Sequence, residues 1–263
     1  MAMPGTSSAS TVKIGGVDSG PAVSRWSRAI NDKDVNTRPT FYRGAIGAAV
    51  AALVVATQIS AQQIPGKFPG GCAEPPKRPS EIGCYLSAIQ PVEKLPDEPL
   101  FWHLYTYSTP AAAEAAKAGA LSTIAESLDK VWLFTLANAQ WRPAAGERVA
   151  VIGRLPVPRG KQYMARYMEA TFPPNQGMVT TVHRHSGPEA WYVLTGAQCL
   201  HTPEDTMVLR PGEGGFVPPG PPMMLTSIGP ETRRALFLVL HDASEPWQTN
   251  TGEWTPTREC PPR

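Results

Sequence analysis

A succession of short segments in which apolar and polar positions alternate begins near Gln162 and continues to about residue 242. Turns rich in Pro, Gly and Ser separate these segments. Successive side chains of a β-strand point to opposite faces of a sheet, so a period of two residues predicts strands. Several short strands at close spacing are typical of a sandwich or barrel. The pattern predicts a mainly β protein with a barrel over 161–243.

A second pattern precedes the barrel, over 99–160. Segments rich in aromatic and β-branched residues predict strands here. Thr109 and Pro110 open an Ala-rich stretch, and Thr as N-cap with Pro in the first turn predicts a short helix. Together they predict a small N-terminal β-α-β-β extension that packs on the barrel sheets or extends them. The predicted strands are 100–108, 122–128, 130–137 and 148–157.

Three other segments show neither the two-residue alternation of a strand nor a helical pattern. Residues 1–43 are rich in Ser, Gly and charge, and we predict that they are disordered. Residues 62–98 are rich in Pro and predict a linker and covering loop. The polar segment 244–263 predicts a C-terminal tail that wraps the surface.

Residues 44–61 contain an apolar run that follows Arg43 and ends in small and polar residues. This order is typical of a secretory signal peptide, with cleavage near Ala61. A transmembrane anchor is the competing interpretation, although a bilayer span needs about 20 apolar residues. A buried Ala-rich helix is the third. The pattern favours a periplasmic or secreted protein without a membrane segment after cleavage, and the alternative is anchoring by an uncleaved helix.

The four cysteines, Cys72, Cys84, Cys199 and Cys260, agree with export because disulfides persist in oxidising compartments. Three pairings are open. We favour Cys72–Cys84 as a local clip and Cys199–Cys260 as a link between tail and barrel. Four free thiols in a cytosolic protein are the alternative if the apolar run is not a signal.

Charge and composition narrow the function classes. Lys and Arg number 24 against 22 Asp and Glu, so the net charge is only +2. No basic run is interleaved with aromatic residues, and nucleic-acid binding is not favoured. The chain also lacks a Gly-rich phosphate loop and a Gly-x-Ser-x-Gly nucleophile motif.

The strongest candidates for functional residues are His183, His185 and Glu189. The two histidines are two residues apart, which places both rings on one face of a strand. Glu189 follows a Ser-Gly-Pro turn that can reverse the chain. Two imidazoles and a carboxylate that converge make a metal-ligand set. The same alternation sends Thr181 and Trp191 inward with them.

This stretch resembles the first motif of the cupin family: Gly, five residues, His-x-His, three or four residues, Glu, six residues, Gly. Its fixed positions are all occupied here, by Gly177, His183, His185, Glu189 and Gly196.

The family's second motif is matched only in part. It reads Gly, five residues, Pro-x-Gly, two residues, His, three residues, Asn. Gly212, Pro218 and Gly220 fit, but Met223 stands at the histidine position and Ser227 at the asparagine position.

The resemblance implies a cupin-type jelly-roll β-barrel with a divalent metal held by His183, His185 and Glu189. Family members add a histidine from the second motif, where this chain has Met223. A thioether is a soft and weak ligand for most divalent ions. Mn, Fe, Zn, Ni and Cu are not distinguished, and Cu(I) would make the best use of Met223. By the same register Met223 and Leu225 line the pocket beside Thr181 and Trp191.

Several functional interpretations stay open. One is an exported, metal-dependent enzyme of dioxygenase, lyase or isomerase type that acts on a small organic molecule. Another is a non-catalytic cupin that binds a small molecule or a metal, with Met223 replacing the fourth ligand. If metal binding is lost, His183 and Glu189 would form a hydrogen-bonded pair. A third is a structural or assembly protein, and a homodimer is compatible with all three.

Weaker predictions concern four other ionisable residues. His241 ends an apolar strand, where two positions are open, at the cavity mouth or at the surface, and we favour the surface. We expect Glu169 to face solvent. We expect His103 and His201 to be hydrogen-bonded strand histidines.

Overall fold

The computed structural model describes residues 67–68, 72, 81–119, 121–175 and 178–260. The predictions for 1–43 and 44–61, and the motif position Gly177, lie outside these residues. The chain divides into two units, Met1–Gln58 and Ile59–Arg263, and the described residues belong to the second. None of the helices found in the described ranges has the length and apolar character to cross a membrane.

The described residues are mainly β, with one helix, α1 (Pro110–Ala116). The first seven strands are β1 (Lys67–Phe68), β2 (Gly83–Val92), β3 (Leu100–Tyr107), β4 (Ser122–Ser127), β5 (Lys130–Ala137), β6 (Glu147–Leu155) and β7 (Tyr163–Phe172). Those that follow are β8 (Val179–Thr180), β9 (His183–Arg184), β10 (Glu189–Thr195), β11 (Ala197–His201), β12 (Thr206–Leu209), β13 (Gly214–Val217), β14 (Met224–Ile228), β15 (Arg233–Asp242) and β16 (Thr249–Asn250).

Two five-stranded sheets form the barrel. One has the order β1-β8-β14-β11-β12 and the other β13-β10-β15-β7-β2. All their pairings are antiparallel except β1 with β8. One buried apolar cluster takes side chains from both sheets, including Leu200, Leu225, Trp191, Phe172 and Phe237, so the barrel core lies between the sheets.

A four-stranded antiparallel sheet, ordered β4-β5-β3-β6, covers the outer face of the second barrel sheet. Its Trp102 and Phe134 pack on Tyr167 of β7, with ring centroids 6.3 and 5.0 Å away. The apolar run of β15 follows from this arrangement because both faces of the strand are buried. The barrel core contains Ala235, Phe237 and Val239, and the cluster beneath the covering sheet contains Leu236, Leu238 and Leu240.

The helix begins as predicted. The Thr109 side chain accepts a hydrogen bond from the Ala112 backbone N–H at 3.1 Å, and Pro110 opens the helix.

The prediction that Glu169 faces solvent is wrong. Its carboxylate is buried and accepts hydrogen bonds from the Ser127 hydroxyl and from the Leu128 N–H. Leu128 and Asp129 form the tight β4–β5 turn with positive φ. Glu169 thereby links that turn of the covering sheet to the barrel, and its burial is offset by hydrogen bonds.

The prediction of an irregular linker over 62–98 is wrong for Gly83–Val92. This stretch is β2, a full edge strand paired along β7. Two features hid the strand. The register shifts between Leu86 and Ala88, which breaks the period of two, and Pro91 is tolerated because an edge strand needs fewer ladder hydrogen bonds.

The structure forms both favoured disulfides. Cys72–Cys84 joins β2 to the segment before it, with Cα atoms 4.8 Å apart. Cys199–Cys260 ties the C-terminal segment to β11 across a sequence separation of 61 residues.

Candidate metal centre

The His-x-His pair stands at one end of the barrel, where β9 is held on both sides. His183 forms two backbone hydrogen bonds with Met223, and Asn250 of β16 pairs with it on the other side. The Ser-Gly-Pro turn then brings Glu189 back at the first position of β10. Gly187 permits this turn because a Cβ there would lie 1.6 Å from the carbonyl oxygen of Leu240.

The three predicted ligands converge. One candidate ligand atom from each of His183, His185 and Glu189 lies within 4.8 Å of the other two, and all three residues are buried. Glu189 Oε2 is 2.9 Å from His185 Nε2 and 3.9 Å from His183 Nε2. The latter distance is too long for the hydrogen-bonded His183–Glu189 pair of the metal-free alternative.

Backbone carbonyls orient both rings. His183 Nδ1–H donates to the Thr181 carbonyl at 2.7 Å, and His185 Nδ1–H donates to the Trp247 carbonyl. In each ring the second nitrogen, Nε2, is therefore the one with a free lone pair. A metal-binding histidine is usually fixed in this way.

Two atoms of the cluster are buried without a hydrogen bond among the described residues: His185 Nε2 and Glu189 Oε2. They approach to 2.9 Å, but their orientation is not that of a hydrogen bond. Buried polar atoms normally have hydrogen-bond partners, so two neighbouring buried atoms that lack one need an explanation. A cation between the three side chains would give both atoms a partner, and this donor set fits a divalent metal.

The charge of Glu189 is consistent with a role as a metal ligand. Burial alone would raise the pKa of Glu189, but attraction to His185 and His183 lowers it to about 2. Burial opposes protonation of His183, yet its contacts with Glu189 and Thr181 raise its pKa. The carboxylate is thus ionised, as a metal ligand must be.

A narrow, mostly apolar cavity of about 50 Å³ opens beside the cluster. His183 and Glu189 line it, and so do the four residues that the sequence analysis placed in a pocket: Thr181, Trp191, Met223 and Leu225. Room of this size suits a few waters or a small ligand.

The C-terminal segment contributes to this site, which the prediction of a surface tail did not include. Trp247 and Gln248 line the cavity. The Trp247 ring stacks on His185 at 5.8 Å between centroids, and Arg184 pairs with Glu253. The segment is irregular apart from β16, so no hydrophobic period could have indicated its role.

Arg233 was also missed. It is 1% exposed, opens β15 and lines the same cavity. A signal was available, because Arg233 is in phase with Ala235 and Phe237, which enter the barrel core.

The other histidines are not among the converging ligand atoms. His103 donates from Nε2 to the Asn138 carbonyl at 2.8 Å in the covering sheet, as expected of a strand histidine. His201 contacts the sulfurs of Cys199 and Cys260. The surface prediction for His241 is wrong, because it is buried on the barrel-facing side of β15.

Comparison with solved structures finds proteins that match part of this chain. Solved structures with similar folds include a cupin superfamily protein of Desulfitobacterium hafniense, which is 14% identical over 30% of this chain and 68% of its own, with a TM-score of 0.27. The two packed five-stranded sheets agree with the jelly-roll barrel that the sequence predicts. No family model matches the chain, and a search of curated proteins finds no match.

Two enzymes are also among the solved structures that match part of this chain. The DMSP lyase DddQ of Ruegeria pomeroyi is 22% identical over 33% of this chain, with a TM-score of 0.29. An oxalate decarboxylase of B. subtilis is 13% identical over 36%, with a TM-score of 0.29. The matched regions span 43% and 29% of those chains, respectively.

Proposed function

We propose that the cupin barrel binds one divalent metal ion through His183 Nε2, His185 Nε2 and the Glu189 carboxylate. It would use the ion on a small organic molecule held in the adjoining cavity. The observation that carries the proposal is the convergence of three buried ligand atoms, two of which lack a hydrogen bond within the described residues.

When bound, such an ion acts as a Lewis acid toward a substrate oxygen, water or dioxygen. The chain's own residues prepare for it. Thr181 and Trp247 fix the ring orientations through their carbonyls, and the buried carboxylate of Glu189 stays ionised. Trp191 supplies an apolar wall that limits the water around the ligand.

Elemental analysis of untagged protein tests the proposal. We expect about one metal ion per chain in the wild type and little in Glu189→Gln, because the neutral amide is a much poorer ligand than the carboxylate. The matched control is Glu231→Gln, an exposed position on the β14–β15 turn, which should keep wild-type metal. Equal metal in wild type and Glu189→Gln would remove the proposal.

A non-catalytic binding protein is the second candidate, and Met223 is the observation that favours it. This buried thioether stands where a fourth ligand would complete the site. Metal-loaded protein incubated in air with small phenols, sugars and thiols separates the two by mass spectrometry of products. Turnover that Glu189→Gln abolishes supports the enzyme, whereas metal without turnover supports the binding protein.

We also propose export to the periplasm or the medium. The pairing of Cys72 with Cys84 and of Cys199 with Cys260 supports it, because such bonds persist outside the reducing cytosol. The mass of the protein recovered from the exported fraction should correspond to cleavage near Ala61, and an uncleaved chain in the membrane fraction would contradict this.

A further inference from the structure

A positive charge is buried in the barrel at Arg233. The residue is 1% exposed and lies at the start of β15, opposite Phe172 of β7. Its Cζ is 5.0 Å from the centre of the Phe172 ring. Burial lowers its pKa to about 9, and attraction to Glu189 opposes that shift. A buried guanidinium is costly unless an anion compensates it.

The described residues supply no such anion at close range. Arg233 forms no ion pair with any of them within 4.0 Å, although its neighbour Arg234 pairs with Asp129 outside the barrel. Its Nε and Nη2 both donate to one neutral acceptor, Gln198 Oε1, with Nε at 2.9 Å. A guanidinium has five N–H donors, so its donor capacity exceeds what one amide oxygen can use.

The cavity connects this charge with the candidate metal centre. Arg233 and the metal-ligating candidates His183 and Glu189 line the same space. On β15, Arg233 is six residues from Val239, the partner of Glu189, or about 20 Å along a strand. The Arg233 backbone therefore lies away from the cluster, but the residue lines the shared cavity, and its charge and that of Glu189 attract each other. The rest of the lining includes Trp191, Leu225 and Phe237.

We propose that the cavity takes a small carboxylic acid whose carboxylate pairs with the Arg233 guanidinium. The planar fork of arginine matches a carboxylate through two parallel hydrogen bonds. The narrow apolar lining suits a short unbranched aliphatic body and disfavours strongly hydrated inorganic anions. This inference rests on the proposed function only for what happens at the other end of the ligand, which points toward His183, His185 and Glu189.

Matched acids and amides test the proposal in metal-free full-length protein. Isothermal titration with butyrate and butyramide, and with propionate and propionamide, compares ligands of nearly equal shape that differ in charge. We expect each acid to bind at least tenfold more tightly than its amide, and inorganic phosphate to bind no better than the amides. Equal affinity for acid and amide, no detectable binding of either acid, or tighter binding of phosphate would overturn the proposal.

Two variants assign the effect to Arg233. Arg233→Met keeps the apolar stem and should lose the preference for acids. Arg234→Met removes the adjacent arginine, whose ion pair lies outside the barrel, and should keep the preference. A preference that survives in Arg233→Met would place the carboxylate elsewhere and overturn the assignment.

A measurement without substitution covers the case in which Arg233→Met does not fold. In protein labelled with ¹⁵N-arginine, butyrate should shift the Nε–H resonance of the buried arginine, and butyramide should leave it in place. No shift with butyrate would contradict the proposal. The two proposals fail separately, because the metal content of the wild type and of Glu189→Gln reports on the metal centre and does not depend on carboxylate binding at Arg233.

Discussion

Met223 stands at the position where the second motif has a metal-binding histidine. It lies directly opposite His183 in a bridge of two backbone hydrogen bonds, at 2.7 and 3.0 Å. Directly opposed residues of an antiparallel pair project to the same face. Met223 therefore stands beside His183 at the cavity, with a weak sulfur where a stronger ligand would fit.

Substitution Met223→His should restore a fourth ligand. Because an imidazole binds divalent ions far better than a thioether, we expect zinc or manganese affinity to rise at least tenfold, equivalent to about 1.4 kcal/mol. Competition titration with a chromogenic chelator measures the change. The matched control is Leu225→His, two residues along the same face, which should bring a smaller gain because it is farther from the bridge with His183. Unchanged affinity in Met223→His would mean that this position does not face the ion.

The ligand residues could be predicted from sequence because the information is local. His183 and His185 share a face by spacing alone, and a short turn leads to Glu189. Arg233 and Trp247 depend on information that is not local. The partners of Arg233 are on other strands, and Trp247 reaches the site through an irregular segment.

At the scale of elements, the turn over 186–188 decides whether the carboxylate meets the histidines. Gly187 lies against β15 so closely that no side chain fits. The turn is further held by a hydrogen bond from the Leu240 N–H to the Pro188 carbonyl at 3.0 Å. The turn is therefore held against β15, which also pairs with Glu189 through Val239.

Substitution Gly187→Ala should disturb both stability and the metal centre. The new Cβ would lie 1.6 Å from the Leu240 carbonyl oxygen, so the backbone has to shift. We expect a loss of about 1–3 kcal/mol in the free energy of unfolding, typical of overpacking, together with lower metal content. Urea unfolding and elemental analysis measure the two effects.

Gly252→Ala is the matched control, since a Cβ there meets no atom within 4 Å. It should leave the free energy of unfolding and the metal content unchanged. Wild-type stability and metal in Gly187→Ala would show that the turn is not held against β15 as described.

The elements themselves were predicted unevenly. The strands of the covering sheet and the helix after Thr109 were indicated by composition and capping, and the structure has them. β2 was missed because a shifted register and Pro91 remove its alternation. The alternation through Thr181 and His183 predicted a single strand, but the structure has two, β8 and β9. Thr181 lies between them, and its carbonyl accepts the hydrogen bond from the His183 ring.

Across the whole described unit, the second barrel sheet is buried on both faces, by the first sheet and by the covering sheet. Sequence alternation predicted strands here, but it could not show that the segment over 99–160 covers the outer face. That contact is made by side chains far apart in sequence, such as Phe134 and Tyr167. Three further buried histidines that the proposed metal centre does not use lie in different sheets: His103 in the covering sheet, His201 in the first barrel sheet and His241 in the second.

These three histidines should make the protein less stable in mild acid. Burial lowers the pKa of each of the three imidazoles. Repulsion by Arg142 and Arg148 lowers the pKa of His103 further. Repulsion by Arg166 and His185 does the same for His241. Each also has one buried ring nitrogen that lacks a partner among the described residues, so protonation would create an unpaired buried N–H. The folded pKa lies below the unfolded value of about 6.5, so the unfolded chain takes up protons first as the pH falls.

His183, whose folded pKa is raised, adds stability as the pH falls toward about 6.5 and opposes the trend in that range. The three lowered pKa values outnumber it, so the free energy of unfolding should fall as the pH drops below about 6.5 through the lower pKa values of the folded state. The slope approaches about 1.4 kcal/mol per pH unit for each proton taken up. Urea unfolding of metal-free protein between pH 8 and about pH 5 measures it. His103→Gln can still donate to Asn138 but cannot be protonated, so it should show a shallower slope. A wild-type curve that stays flat or rises toward pH 5, or an unchanged slope in His103→Gln, would contradict the assignment of neutral buried imidazoles.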